Sequence, residues 1–340
     1  MRHQPSHRLA LVLALASALA SCGTPNLSGD PSTGAQLAPQ ARAEGPAANA
    51  PSTQPAAARE ETEDDSPAPL PHAVYRKDGF FVSEASSKRG RLLWVFAEGS
   101  QDLAEWRRDG ELAKSTSLIG AGPAGATLRS GDRDTLLRYL GAKDGFWVDV
   151  GHLGRREFLW VFREDSDELR EYAANGELGK NVTLIGAGPL GVTLRGGDRE
   201  TLLEYAGTKP GYVVSLGHIG SREFLWVFEE GSAALDEFRA KGEPAQSVTF
   251  VGGGPQGLTL RGADRGTLLL YAARKPGYHV ELGRLGNREF VWVFEEGTPE
   301  LERFLASGDP TQNVTLVGEG PMGATLRGPD RRTLQRYRAL

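Results

Sequence analysis

Beyond residue 78 the apolar positions follow two textures that alternate along the chain. Gly145-Phe146-Trp147-Val148-Asp149-Val150 alternates apolar with mixed residues, and after a Gly-bearing turn Phe158-Leu159-Trp160-Val161-Phe162 runs apolar without a break. β-Branched and aromatic residues in runs of this length predict two strands. The unbroken run predicts a strand covered on both faces. Ser166-Asp167-Glu168-Leu169-Arg170-Glu171-Tyr172, closing at Asn175-Gly176, then predicts a short helix. Ser166 suits the N-cap, where its hydroxyl can accept from an otherwise free amide, and Gly176 suits a left-handed C-cap. The second half repeats the theme: a strand at 182–185, a glycine-rich turn at 186–191, a strand at 192–195, and a helix capped by Asp198 that carries Leu202, Leu203 and Tyr205. A shift of 33 residues lays Leu169 on Leu202 and Tyr172 on Tyr205, so the unit is itself an approximate duplicate.

This unit recurs at a fixed period. Trp94, Trp160, Trp226 and Trp292 stand 66 residues apart, as do Pro123, Pro189, Pro255 and Pro321, and Arg129, Arg195, Arg261 and Arg327. Four frames fit without insertion: 78–143, 144–209, 210–275 and 276–340. A fixed period of this kind marks one supersecondary unit copied and stacked. The expected class is α+β, four tandem ββαββα repeats in a permuted ferredoxin-like order. Antiparallel four-stranded sheets with helices on one face are expected, arranged either as a row of beads or as a closed ring.

The N-terminus differs in kind. Arg2 and Arg8 precede an apolar run at 9–20, too short for a stable transmembrane helix, which takes roughly 20 residues. It ends Leu19-Ala20-Ser21-Cys22, which resembles the lipobox of bacterial lipoproteins. That resemblance covers 22 residues and implies a signal peptide at 1–21, cleavage before Cys22, and a diacylglycerol on its sulfur. It implies a cell-envelope location, and Gly23 after the cysteine implies the outer membrane or cell surface. Cys22 is the only cysteine, so no intrachain disulfide, zinc cluster or cysteine pair can form. Residues 22–72 are rich in Ala, Pro, Ser and Thr and end in an acidic run that includes Glu60, Glu61, Glu63, Asp64 and Asp65. Too little apolar area is present there to offset ordering entropy, so this stretch reads as a disordered tether. Fifty such residues span roughly 40 Å as a coil.

Charge narrows the partners. The chain carries −5, and −7 once Arg2 and Arg8 leave with the signal, which argues against nucleic acid. The turn Gly120-Ala121-Gly122-Pro123-Ala124-Gly125 resembles the glycine fingerprint of dinucleotide-binding folds. The helix such a site requires is missing, because the equivalent Gly191 is followed by Val-Thr-Leu-Arg, a strand pattern. No cofactor is expected. His152 and His218 become Arg284 and Ser86 in the other copies, which fits exposed hairpin positions better than metal ligation. No nucleophile elbow or His-Glu-x-x-His occurs, and no catalytic or metal-binding residue is assigned.

The sharper candidates lie on one sheet face. Alternation places Phe158, Trp160 and Phe162 with Thr193 and Arg195, and Val192 and Leu194 opposite. The candidate ligand residues are therefore Trp94 with Arg129, Trp160 with Arg195, Trp226 with Arg261, and Trp292 with Arg327. Such a face can stack a sugar or clamp a peptide. It can equally pack against the next copy, and the unbroken apolar run favours packing. Arg129 and its equivalents recur together with Glu98, Glu164, Glu230 and Glu296, as a repeated ion pair would. The stretch Gly211-Tyr212-Val213-Val214-Ser215-Leu216-Gly217 with Ser221-Arg222-Glu223 is similar to the strand and turn of sporulation-related peptidoglycan-binding domains, although a strand follows here where those domains place a helix. The expected function is a membrane-anchored, non-catalytic binding or scaffolding module of the envelope. Its expected partners are cell-wall glycan or an envelope protein, with an envelope hydrolase as the alternative.

Overall fold

The structure, a computed structural model, describes residues 73–340 apart from 78, 88, 89, 309 and 311. The signal peptide, Cys22 and the tether lie outside the described residues. Repeat 1 contains β1 (Ala73–Lys77), β2 (Phe80–Ser87), β3 (Gly90–Ala97), α1 (Gln101–Asp109), β4 (Thr116–Leu118), β5 (Thr127–Ser130) and α2 (Arg133–Gly141). Repeat 2 has β6 (Phe146–Leu153), β7 (Arg156–Arg163), α3 (Asp167–Asn175), β8 (Val182–Leu184), β9 (Thr193–Gly196) and α4 (Arg199–Gly207). Repeat 3 follows with β10 (Tyr212–Ile219), β11 (Arg222–Glu229), α5 (Ala233–Lys241), β12 (Val248–Phe250), β13 (Thr259–Gly262) and α6 (Arg265–Ala273). Repeat 4 ends the chain with β14 (Tyr278–Leu285), β15 (Arg288–Glu295), α7 (Pro299–Ser307), β16 (Val314–Leu316), β17 (Thr325–Gly328) and α8 (Arg331–Ala339).

The helix ends obey the local chemistry. Ser100, Ser166, Ser232 and Thr298 accept from the amides of Leu103, Leu169, Leu235 and Leu301, and Gly110, Gly176, Gly242 and Gly308 close those helices in the left-handed region. Asp132, Asp198, Asp264 and Asp330 cap the second helices by accepting from Thr135, Thr201, Thr267 and Thr333. Each such cap stabilises its helix by about 1 kcal/mol.

The sheets are mixed rather than antiparallel, and helices cover both faces rather than one. In repeat 2 the order is β6-β7-β9-β8, with β7 and β9 parallel and the other two pairs antiparallel. The cause is the connection. Parallel neighbours need a crossover of a dozen or more residues, and α3 with β8 supplies it between β7 and β9. Repeat 1 gains a fifth strand, since β1 pairs with the edge of β2. Each first helix lies on the aromatic face, as Leu103 of α1 does with Trp94 and Phe96. Each second helix lies on the aliphatic face, as Leu136 and Tyr139 of α2 do with Leu93, Val95 and Leu128. Leu93, Leu159, Leu225 and Val291 are fully buried between these layers, each contributing roughly 1.5–3 kcal/mol of transfer free energy.

The repeats are joined through the second helices. Tyr205, Tyr271 and Tyr337 donate their hydroxyls to the carbonyls of Gly141 (2.7 Å), Gly207 (2.6 Å) and Ala273 (2.7 Å), the last residues of the preceding second helix. Leu137 belongs to the core of repeat 2, and Leu203 shares a cluster with Leu216 and Leu258 of repeat 3. α2 also contacts the 3-10 turn Pro189–Gly191, α4 contacts Pro255–Gly257, α6 contacts Pro321–Gly323, and α8 contacts Pro123–Gly125. The last of these joins repeat 4 to repeat 1. It is not a copy of the others: exposed Gln335 stands in α8 where the other helices carry buried Leu137, Leu203 and Leu269. Instead Ala124 donates its amide to the Pro276 carbonyl (3.1 Å). A Cβ on Gly277 would come within 2.0 Å of the Ala124 nitrogen, so this approach needs a glycine at 277.

Candidate functional site

The parallel register creates the aromatic–arginine pairs. Leu159 faces Leu194 and Trp160 faces Arg195 across β7 and β9; the other three copies pair the equivalent positions, with Val291 in place of the leucine in repeat 4. The guanidinium carbons of Arg129, Arg195, Arg261 and Arg327 therefore lie 5.0, 5.3, 4.5 and 4.8 Å from the ring centres of Trp94, Trp160, Trp226 and Trp292. Phe158, Phe224 and Phe290 flank the same guanidiniums in the last three repeats, at 4.7, 5.0 and 4.8 Å. Contacts of this kind stabilise by about 0.5–2 kcal/mol. The repeated partner of these arginines is thus a tryptophan ring, not the repeated glutamate. Ser115 Oγ, Ser247 Oγ and Asn313 Oδ1 accept from Arg129, Arg261 and Arg327 at 2.8–3.0 Å.

The eight candidate residues come together in pairs, one pair per repeat, beneath the first helix of their own repeat and not against the next copy. Tyr172, Phe238 and Phe304 lie 5.3–5.6 Å from the tryptophan centres. Those four tryptophans keep only 5–8% of their surface in contact with solvent, which leaves no open platform on the ring itself. Where the helix stops short, an open cleft of about 510 Å³ remains in repeat 3, lined by Phe224, Trp226, Arg261, His218 and Glu243. A glycine within β10, directly opposite Phe224 on β11, leaves room for that ring. A Cβ on Gly217 would come 2.4 Å from the Phe224 ring.

A second cleft, about 620 Å³, sits between repeats 3 and 4, lined by Arg265, Arg284, Arg288, Glu289 and Thr325. A third, about 530 Å³, lies where β6 meets α2, between repeats 2 and 1. It holds Trp147, exposed at 38%, with Arg138, Asp144, Asp149 and Glu164 around it. Trp147 packs against Phe162 (6.0 Å) and Tyr172 (5.6 Å). Asp149 accepts from the Tyr172 hydroxyl at 3.1 Å. Burial, with the Asp149 carboxylate beside it, pushes the Tyr172 hydroxyl up to about 12, so it stays a neutral donor at physiological pH.

Periodic positions do not reveal this third cleft. Its residues break the period: the equivalents of Trp147 are Phe81, Val213 and His279, and those of Asp149 are Ser83, Ser215 and Glu281. An irregular tryptophan in an otherwise regular array is the signal that could have found it. His152 and His218 are exposed at hairpin ends, and His152 Nε2 lies 3.0 Å from Asp134 Oδ2. The glycine-rich segments form turns that lead into strands β5, β9, β13 and β17 and not into a helix. Among the described residues no cluster of histidine and acidic side chains could hold a metal ion, and no helix is long and apolar enough to cross a membrane. No family model, curated protein or solved structure matches the chain.

Proposed function

We propose that the protein is a lipid-anchored, non-catalytic binding or scaffolding module of the cell envelope, held at the outer membrane or cell surface through Cys22. The observation that carries this reading is the order of the chain: Leu19-Ala20-Ser21-Cys22, a Pro/Ala/Ser-rich tether, then four copies of one unit. Four equivalent units suit avidity, in which linked weak sites raise one another's effective concentration. A single active site needs convergent groups that copies do not supply. The stacked Arg–Trp pairs recur in every copy as the same structural element, which supports a scaffold that presents its surface residues at a fixed spacing.

The reading extends to the arrangement of the repeats. Closure into a ring, in preference to a row of beads, is supported by the series of second-helix contacts that continues from α8 to the turn of repeat 1, and by the Ala124–Pro276 hydrogen bond. A cell-wall glycan is the partner class that the cleft between repeats 1 and 2 favours, since Trp147 meets solvent there among charged groups.

The test is Cys22→Ala in the native cell, followed by membrane fractionation. The protein is expected to leave the outer-membrane fraction when the cysteine is lost. Equal membrane recovery of the variant overturns the anchored reading.

A further inference from the structure

The cleft between repeats 1 and 2 carries polar groups with hydrogen-bonding capacity to spare. In repeats 2 and 4 the sixth residue of the second helix has an ionic partner on the neighbouring strand: Glu204 meets Arg163, and Arg336 meets Glu295 at 2.8 Å. In repeat 1 that helix position is Arg138, and the strand residue opposite is Ala97. Arg138 is left with Asp149 at 3.9 Å, and its buried Nε has no hydrogen-bond partner among the described residues. The side chain as a whole is 39% exposed and lines the cleft, where an incoming acceptor can meet the rest of the guanidinium.

The surroundings define that acceptor. Trp147 offers an aromatic surface at 38% exposure, held from behind by Phe162 and Tyr172. Asp144, Asp149 and Glu164 supply carboxylate acceptors. The one other cation, Lys143, is engaged by the Tyr205 carbonyl (2.6 Å) and lies over the Tyr205 ring. The cleft therefore presents one available guanidinium against three carboxylates, which disfavours an anionic ligand. A ligand with an apolar face and a rim of hydroxyls, each both donor and acceptor, satisfies every one of these groups at once. Its volume of about 530 Å³ lies within the roughly 300–1,000 Å³ range of small-ligand clefts.

We propose that this cleft binds a neutral pyranose chain, stacked on Trp147, with Arg138 donating to ring hydroxyls and Asp149, Asp144 and Glu164 accepting from them. It deepens the glycan reading above by giving it a single site. It rests on the cleft residues alone, so it stands or falls separately from the lipid anchor. The nonperiodic residues confine this site to the junction of repeats 1 and 2, beside the surfaces that all four copies present alike.

The experiment uses the full chain in a detergent that carries no sugar, titrated to millimolar concentrations with cellotriose and with the N-acetylglucosamine trimer. Saturation-transfer NMR and tryptophan emission are the readouts. Wild type is expected to show transfer to at least one trisaccharide and a shift in emission. Trp147→Val, which installs the residue that repeat 3 carries at Val213 on an equivalent strand, is expected to fold normally and to lose about tenfold or more in affinity. Arg138→Gln and Asp149→Asn are expected to weaken binding, while Leu305→Ala, on the exposed side of α7 in repeat 4, leaves it unchanged. The proposal is overturned if neither trisaccharide shows transfer to wild type, or if Trp147→Val binds as well as wild type. Binding of tetralysine without any response to the sugars also overturns it, because it would mark the cleft as a cation site.

Discussion

Replacing Tyr271 by Phe isolates the hydroxyl that ties one repeat to the next. The ring is 1% exposed, stacks edge-on against Tyr212 at 5.4 Å and lies 4.6 Å from the Lys209 ammonium, contacts that phenylalanine keeps. What disappears is the 2.6 Å hydrogen bond to the Gly207 carbonyl, inside a junction where a Cβ on Gly207 would already touch Leu225 at 2.8 Å. Water has little room to replace the lost donor, so the cost is about 1–3 kcal/mol. For a unit of this size about 1 kcal/mol moves the melting temperature by roughly 2–4 °C, which predicts a fall of roughly 2–12 °C. Calorimetry of Tyr271→Phe measures it. Tyr278→Phe is the internal control: its hydroxyl is buried with no hydrogen-bond partner among the described residues, so its loss is expected to be neutral or slightly stabilising. Equal melting temperatures for wild type and Tyr271→Phe, or a larger fall for Tyr278→Phe, would refute the claim that these hydroxyls hold the repeats together.

Two further outcomes follow from the same junctions. Burial holds the hydroxyls of Tyr205, Tyr271 and Tyr337 above the usual tyrosine range. An unfolded tyrosine ionises near pH 10. Their contribution is therefore fully present below about pH 10, and above it the unfolded chain releases protons that the folded chain retains, so stability falls as pH rises. Tyrosinate absorbance and circular dichroism should change together in one cooperative alkaline step; smooth ionisation of every tyrosine with the fold intact contradicts this. At the junction of repeats 4 and 1, Ala124→Leu installs the residue found at the exposed Leu190 position into a site that is 5% exposed. It is expected to lower the melting temperature and raise amide exchange around Gly277, whereas Leu190→Ala changes stability by less than about 0.5 kcal/mol. An unaltered Ala124→Leu protein would show that repeats 4 and 1 do not meet in solution.

The legible part of the fold was the local part. Ser166, Asp198 and Gly176 announce helix ends through chemistry that acts within three or four residues, and each does so in the structure. The side-chain alternation that put Trp160 with Arg195 holds because it depends only on strand geometry. What the sequence could not display was the partner of each surface. The run Phe158 to Phe162 required cover on both faces, yet an apolar residue is buried equally well by its own helix α3 or by a neighbouring copy, and composition does not distinguish them. Parallel pairing of β7 with β9 was hidden for a similar reason, since two short strands with the same pattern can be laid side by side in either direction. The Trp147 cleft was hidden by the period itself. Attention to positions that repeat passes over Arg138 facing Ala97, where the departure from the repeat is the informative event.

The mass of the mature N-terminal peptide tests the account most directly, because envelope location, tether and display of the four repeats all depend on Cys22. Protein recovered from native membranes should begin at Cys22, with its sulfur carrying a diacylglycerol and the preceding residues absent. A chain that retains residues 1–21, or that has been cut elsewhere and bears a free Cys22 thiol, would contradict the claim that this is a lipid-anchored protein.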